Sequence, residues 1–190
     1  MSEPFYAAGL RFTCARCSYC CRGEPGFIFL SKEDLRRLLQ RLSLDFKAFY
    51  REYCTLIDTG AGMALSLRDV ARDSSPGEKL GNFRSFDCVF WGAEGCAVYA
   101  DRPIQCRTYP FWASVVDSEA SWREESRSCP GIGAGELRSR FYIEERLQER
   151  RGAGMIVLAY GVDPENADED TILGGARLGP DSSDALEGQK

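Results

Sequence analysis

The sequence predicts a small single α+β domain, with short strands and a β-hairpin around an all-cysteine metal centre and a C-terminal helix. Three observations carry this reading. Four cysteines fall within eight residues, Cys14-Ala-Arg-Cys17-Ser-Tyr-Cys20-Cys21, and such spacing lets a short loop turn several sulfurs toward one ion. The chain holds nine cysteines and no histidine, which excludes mixed Cys/His zinc sites, His-based triads and a His general base. Its apolar residues, 44% of 190, come in short runs of both alternating and helical spacing, enough for a mixed fold with a real core.

The elements follow in order. Phe5 to Thr13 reads as a short strand leading into the cysteine loop, and Phe27 to Leu30 as a second, bounded by Gly23-Glu24-Pro25-Gly26. Ser31 is a good N-cap, and Asp34 three residues on approximates a capping box for a helix with Leu35, Leu38, Leu39 and Leu42 facing inward. Asp45 to Tyr53 is a second helix with an aromatic stripe. Residues 63–68 form a strand and 71–82 a mobile polar loop. Cys88 to Trp91 and Cys96 to Tyr99, joined by Gly92-Ala93-Glu94-Gly95, predict a β-hairpin with Cys88 and Cys96 on its two arms. Asp101 caps a helical turn carrying Cys106. Tyr109-Pro110 is open to the cis form, though most such bonds are trans, Phe111 and Trp112 belong to the core, and Phe111 to Val116 is a strand candidate. Gly135 to Arg151 is an amphipathic helix with Leu137, Phe141 and Leu147 on one side. Residues 1–162 make the cysteine-cluster domain, while 163–190 is acidic, glycine-rich and expected to be a disordered tail.

Composition bounds the function. The longest continuously apolar run, Met155 to Tyr160, is too short to span a bilayer. The N-terminus Met1-Ser2-Glu3-Pro4 carries no basic or signal-length apolar segment, so a soluble cytoplasmic protein without a membrane partner is expected. A net charge of −5 argues against nucleic acid, and filling thiolate sites with divalent ions leaves that sign unchanged. A disulfide framework is disfavoured by the odd cysteine count and the reducing compartment.

Cys54 stands apart from the other thiols at the end of the aromatic stripe and reads as a small buried hydrophobe. Eight candidate ligands remain: Cys14, Cys17, Cys20, Cys21, Cys88, Cys96, Cys106 and Cys129. Zinc would favour two closed four-thiolate sites. An iron–sulfur centre, possible as 4Fe-4S, competes, because Cys14-x2-Cys17-x2-Cys20 and Cys129-Pro130 share ferredoxin spacings. In extended backbone neighbouring side chains leave on opposite sides, so Cys20 and Cys21 are expected to split between two sites, each borrowing ligands from the downstream set, the alternative being that one of them is a bystander. Arg102 and Arg107 are placed to donate N–H···S bonds and offset thiolate charge, the alternative being ordinary surface arginines.

The cysteine run, then Phe27-Ile28-Phe29-Leu30-Ser31, Cys88-Val89-Phe90, Cys96-Ala97-Val98-Tyr99, Arg102-Pro103-x2-Cys106-Arg107-x-Tyr109-Pro110-Phe111 and Cys129-Pro130-Gly131, together resemble the YkgJ-type CxxCxxCC cysteine-cluster family of zinc- or iron-chelating domains over residues 10–132. The resemblance implies the same eight cluster cysteines. Ser18 departs from it, since the family typically has glycine there. A metal-chelating protein, with metal ions as its partners, is the first functional expectation. Alternatives are a cluster-dependent enzyme similar to flagellin lysine N-methylases and an iron–sulfur redox or oxygen sensor. A nucleotide-binding glycine fingerprint is lacking: Gly131-Ile132-Gly133-Ala134-Gly135 has no βαβ setting and reads as a loop joining Cys129 to the helix.

Overall fold

The computed structural model describes residues 3–23, 25–72, 85–174 and 176–178. Leu10–Phe12 form strand β1, and the cysteine loop behind it closes in a 3-10 turn over Tyr19–Cys21. Strands β2 (Arg22–Gly23) and β3 (Ile28–Phe29) lead to helix α1, Lys32–Leu42. The capping box is present: the Asp34 amide donates to Ser31 Oγ and the Ser31 amide to the Asp34 carboxylate, both at 3.1 Å. Asp45 caps helix α2, Phe46–Tyr53, by accepting from the Ala48 amide. Strands β4 (Cys54–Asp58), β5 (Met63–Leu67), β6 (Asp69–Arg72), β7 (Ser85–Cys88), β8 (Trp91–Gly92) and β9 (Gly95–Cys96) follow. Next come helices α3 (Ile104–Thr108) and α4 (Glu119–Glu125), strand β10 (Ile132–Arg138) and helix α5 (Arg140–Ala153). Strand β11 (Met155–Leu158), helix α6 (Glu169–Gly174) and strand β12 (Ala176–Leu178) complete the described chain.

β5 is the spine of the main antiparallel sheet. Along one edge it pairs with β4 from Cys54↔Leu67 to Asp58↔Met63. The other edge is shared by β3, opposite Ser66 and Leu67, and β11, opposite Met63 and Ala64. β12 adds a strand beyond β11, β2-β7-β6 form a small sheet, and β1 pairs with β10 as a ribbon.

Among the described residues two large apolar cores result, beside a small cluster of Phe29, Ala64, Met155 and Val157 on the main sheet. The first joins α1, α2 and the main sheet through Leu30, Leu35, Leu38, Phe49, Leu65 and Ile156, with Cys54 inside it and Cys88 and Cys96 against its flank. The second joins β1, α4 and α5 through Phe12, Phe111, Trp122, Ile143 and Leu147, and includes Cys129. The cysteines therefore lie at a seam, some held by each core. Among the described residues no helix is long and apolar enough to cross a membrane.

Several expectations are corrected. The hairpin is shorter than predicted: β8 pairs with β9 through Trp91↔Cys96 and Gly92↔Gly95, while Cys88 pairs instead with Asp69 in the neighbouring sheet. Asp101 does not cap α3. The Ile104 amide donates to Asp34 Oδ1 from α1 at 2.9 Å, and Asp101 faces Arg41. Phe111 to Val116 is a run of turns rather than a strand, and Tyr109–Pro110 is cis. The stretch 132–138 is strand β10, so α5 starts at Arg140 behind an Ser139 cap. Its buried face is Ile143, Leu147 and Arg150, whereas Leu137 and Phe141 are exposed. The fold also continues past 162: Ile172 on α6 is fully buried in the first core, and Arg51 pairs with Glu165 at 2.8 Å. Residues 175 and 179–190 of the expected tail, and 73–82 of the expected loop, lie outside the described residues, while 71–72 of that loop belong to β6.

Candidate metal centre

The cysteine loop is shaped by two residues in left-handed backbone, Arg16 (φ 52°) and Ser18 (φ 62°). A side chain there costs on the order of 1–2 kcal/mol. The reversals curl the loop between successive cysteines, and the need for positive φ at Ser18 explains why glycine suits that position. The doublet is not extended: Cys20 and Cys21 share the 3-10 turn, with sulfurs 3.9 Å apart. Two thiolates at about 2.3 Å from one tetrahedral zinc stand about 3.8 Å apart. The premise that neighbouring side chains must diverge therefore fails here.

Four elements bring in the remaining thiols. Cys88 ends β7, Cys96 ends β9, Cys106 rides on α3, and Cys129 follows α4. Cys129 is drawn toward the loop by a tight backbone approach. A Cβ at Gly131 would lie 2.5 Å from the Thr13 carbonyl oxygen, one residue before Cys14, so only glycine lets β10 press against β1 at this point.

The eight cysteines gather on two adjoining cavities. The larger, about 390 Å³, is lined by Cys14, Cys20, Cys21, Cys88, Cys96 and Cys106. The smaller, about 200 Å³, is lined by Cys14, Cys17, Cys20, Cys106 and Cys129. Cys14, Cys20 and Cys106 border both. Cys54 lines neither and is 1% exposed in the first core, where burial raises its thiol well above the usual range. The sulfurs surround the cavities without meeting at one point: among the described residues no three acid or thiol side chains close to ion-holding distance.

The donor chemistry nonetheless fits a thiolate-loving metal. Cys88, Cys96 and Cys129 each accept the backbone N–H two residues on, from Phe90, Val98 and Gly131, an arrangement that favours the thiolate. Opposing it, burial pushes Cys88 up to about 11 and raises Cys96, Cys106 and Cys129. Cys21 is raised first by its contact with Cys20, then by burial and the nearby Cys106 and Cys88. Burial and crowding thus favour the protonated thiols, and a cation that offsets the negative charge favours the thiolates.

Of the two arginines, Arg102 borders both cavities and lowers the thiols of Cys96 and Cys106 electrostatically. Arg107 faces the smaller cavity but is paired with Glu149 of α5 at 3.0 Å. Two supporting residues were not marked by sequence reasoning. Tyr109 donates to Glu125 Oε1 at 2.6 Å and lies within hydrogen-bonding range of Cys129. Asp34, read only as part of a capping box, also holds the start of the helix carrying Cys106. The hints of Tyr109's role in the sequence were its position three residues after Cys106 and its place in the Cys106-Arg107-x-Tyr109-Pro110 segment.

No solved structure matches the chain. The model of the CxxCxxCC family, described as "putative zinc- or iron-chelating domain", matches residues 13–130, from the residue before the first loop cysteine to the residue after Cys129. The chain belongs to the CxxCxxCC family.

Proposed function

We propose that this protein chelates zinc or an iron–sulfur cluster through the thiolates of Cys14, Cys17, Cys20, Cys21, Cys88, Cys96, Cys106 and Cys129. The observation that carries the reading is that these eight cysteines line two adjoining cavities while the ninth is buried elsewhere. Cys21, Cys88 and Cys96 belong to the larger cavity alone, Cys17 and Cys129 to the smaller, and Cys14, Cys20 and Cys106 to the wall between them. This sharing favours one coupled, two-part centre over two remote sites. The bound metal supplies Lewis-acid character as zinc or electron-transfer capacity as a cluster.

The position at the seam gives the metal a structural effect as well. Cys88 and Cys96 are held by one core and Cys129 by the other. A metal gripping both sets ties the cores together, and a structural zinc site contributes on the order of 10 kcal/mol. The test is an anaerobic preparation followed by visible absorbance and elemental analysis. A colourless protein with about two zincs, one per four thiolates, selects zinc. A brown protein containing iron selects the cluster and keeps the redox-sensor and cluster-dependent enzyme readings in play. A native chain that takes up neither metal refutes the proposal.

A further inference from the structure

We propose that the larger cavity is also a binding site for a small organic carboxylate, its acid group gripped by Arg16 and Arg102 and its body against Phe90 and Trp91. The inference uses the cavity walls and deepens the metal-centre reading by giving the centre a ligand. Size is the first argument. A water molecule's share of liquid volume is about 30 Å³, so 390 Å³ is room for about a dozen waters. A closed four-thiolate ion needs no such space, whereas small-molecule sites run from about 300 to 1,000 Å³.

The walls are the second. Beyond the thiols they offer aromatic surface at Phe90, Trp91 and Tyr99, two cations, and one acid, Glu94, whose side chain is exposed. This mix of apolar area with a few placed charges is what orients a small ligand.

The state of those cations is the third. Around the same centre Arg22, Arg37 and Arg107 are committed to Asp87, Asp34 and Glu149. Arg16 and Arg102 have no carboxylate partner among the described residues. Both guanidiniums instead stack on Tyr99, their central carbons 4.4 and 3.6 Å from its ring centroid. Stacking fixes a guanidinium by its face and leaves its N–H edge free to donate. Arg102 Nε is buried with no hydrogen-bond acceptor, as are the Nε atoms of Arg37 and Arg107, so the edge offered to a ligand is that of the two terminal nitrogens. A planar carboxylate matches that fork with two parallel bonds. Phosphate would bring a second negative charge into a cavity lined by six cysteines, while a carboxylate brings one.

The test is calorimetric titration of the zinc-loaded protein with benzoate, with its neutral isostere benzamide and inorganic phosphate as rivals, zinc content being measured in every sample. The expected result is that benzoate binds more tightly than either rival, and at least tenfold more weakly to Arg102→Ala. Arg16→Ala, altered on the exposed loop, should weaken benzoate binding too and serves if Arg102→Ala fails to fold. No benzoate binding, equal binding of benzamide, preference for phosphate, or unchanged affinity in both variants overturns the proposal. If both variants lose zinc while native benzoate binding is absent, the arginines serve only as counter-charges and the proposal fails. Failure of the native protein to take up zinc or iron counts against the metal reading alone, and benzoate titration of that same sample then decides this one.

Discussion

Replacing Asp34 with alanine should damage the centre from a distance. The carboxylate is fully buried. Its Oδ2 accepts from Ser31 N and Oγ, and its Oδ1 from the Ile104 amide at 2.9 Å and from Arg37 Nη2 at 2.6 Å. Arg37 in turn donates to the Arg102 carbonyl, so one acid secures both flanks of Pro103 just ahead of Cys106. Asp34→Ala leaves the Ser31 and Ile104 amides without acceptors, at about 1–3 kcal/mol each. It also removes part of the helix cap and strips Arg37 of its partner. A total loss of about 3–5 kcal/mol is expected, a large share of the stability of a typical domain. Urea unfolding of the zinc-loaded protein measures it, with Glu33→Ala as control, since Glu33 is exposed and meets Arg36 only at 3.8 Å. Zinc affinity should fall as well, because the turn carrying Cys106 loses its anchor. A stability loss below about 1 kcal/mol, within the usual effect of an unexceptional substitution, would refute the reasoning.

Other outcomes are expected from the same structure. Tyr109→Phe keeps the ring but removes the hydroxyl between Glu125 and Cys129; metal affinity at the smaller cavity should drop about 10–100-fold, read by competition with a chromophoric chelator. Cys54→Ser places a hydroxyl in an apolar site and should cost about 1–3 kcal/mol, with elemental analysis showing unchanged metal content; a lost ion would make Cys54 a ligand. Gly131→Ala should cost about 1–3 kcal/mol of overpacking strain, visible as a lower urea midpoint, because its Cβ would press on Thr13. For pH, Cys88 is raised from 9.0 to about 11 by burial. The metal-free fold therefore keeps the full benefit of this protonated thiol below about pH 9 and loses it as pH rises through about 11, which chelator-treated protein would report as a falling urea midpoint. Metal uptake must displace that proton, so affinity should fall as pH is lowered and loading should release protons to an indicator dye.

Much of the local structure was legible because its causes are local. The Ser31/Asp34 capping box, the leucine face of α1 and the Asp45 cap each depend on residues three or four apart. Cys54 was separable from the other thiols because an isolated cysteine after an aromatic stripe has the character of a core residue. Errors arose where long-range pairing overrode local signals. The glycine-rich stretch 131–135 resembles a plain loop, yet Ile132 within it and Leu137 and Arg138 after it pair with β1, leaving Gly133 and Gly135, both at positive φ, in the bulge between. Cys88 looked like one arm of a hairpin until β6 claimed it. The segment after 162 is polar in composition, but one fully buried side chain, Ile172, joins α6 to the first core.

By itself the sequence determined the chemistry on offer: nine thiols and no histidine, an α+β fold, and a loop with four cysteines in eight residues. Those depend on residue identity and short spacing. Only the tertiary structure decided that Cys20 and Cys21 lie 3.9 Å apart, that three cysteines border both cavities, and that the thiols occupy the seam between two cores. The reason is physical: proximity among side chains up to 115 residues apart, as from Cys14 to Cys129, is created by strand pairing and core packing, and no local pattern encodes it.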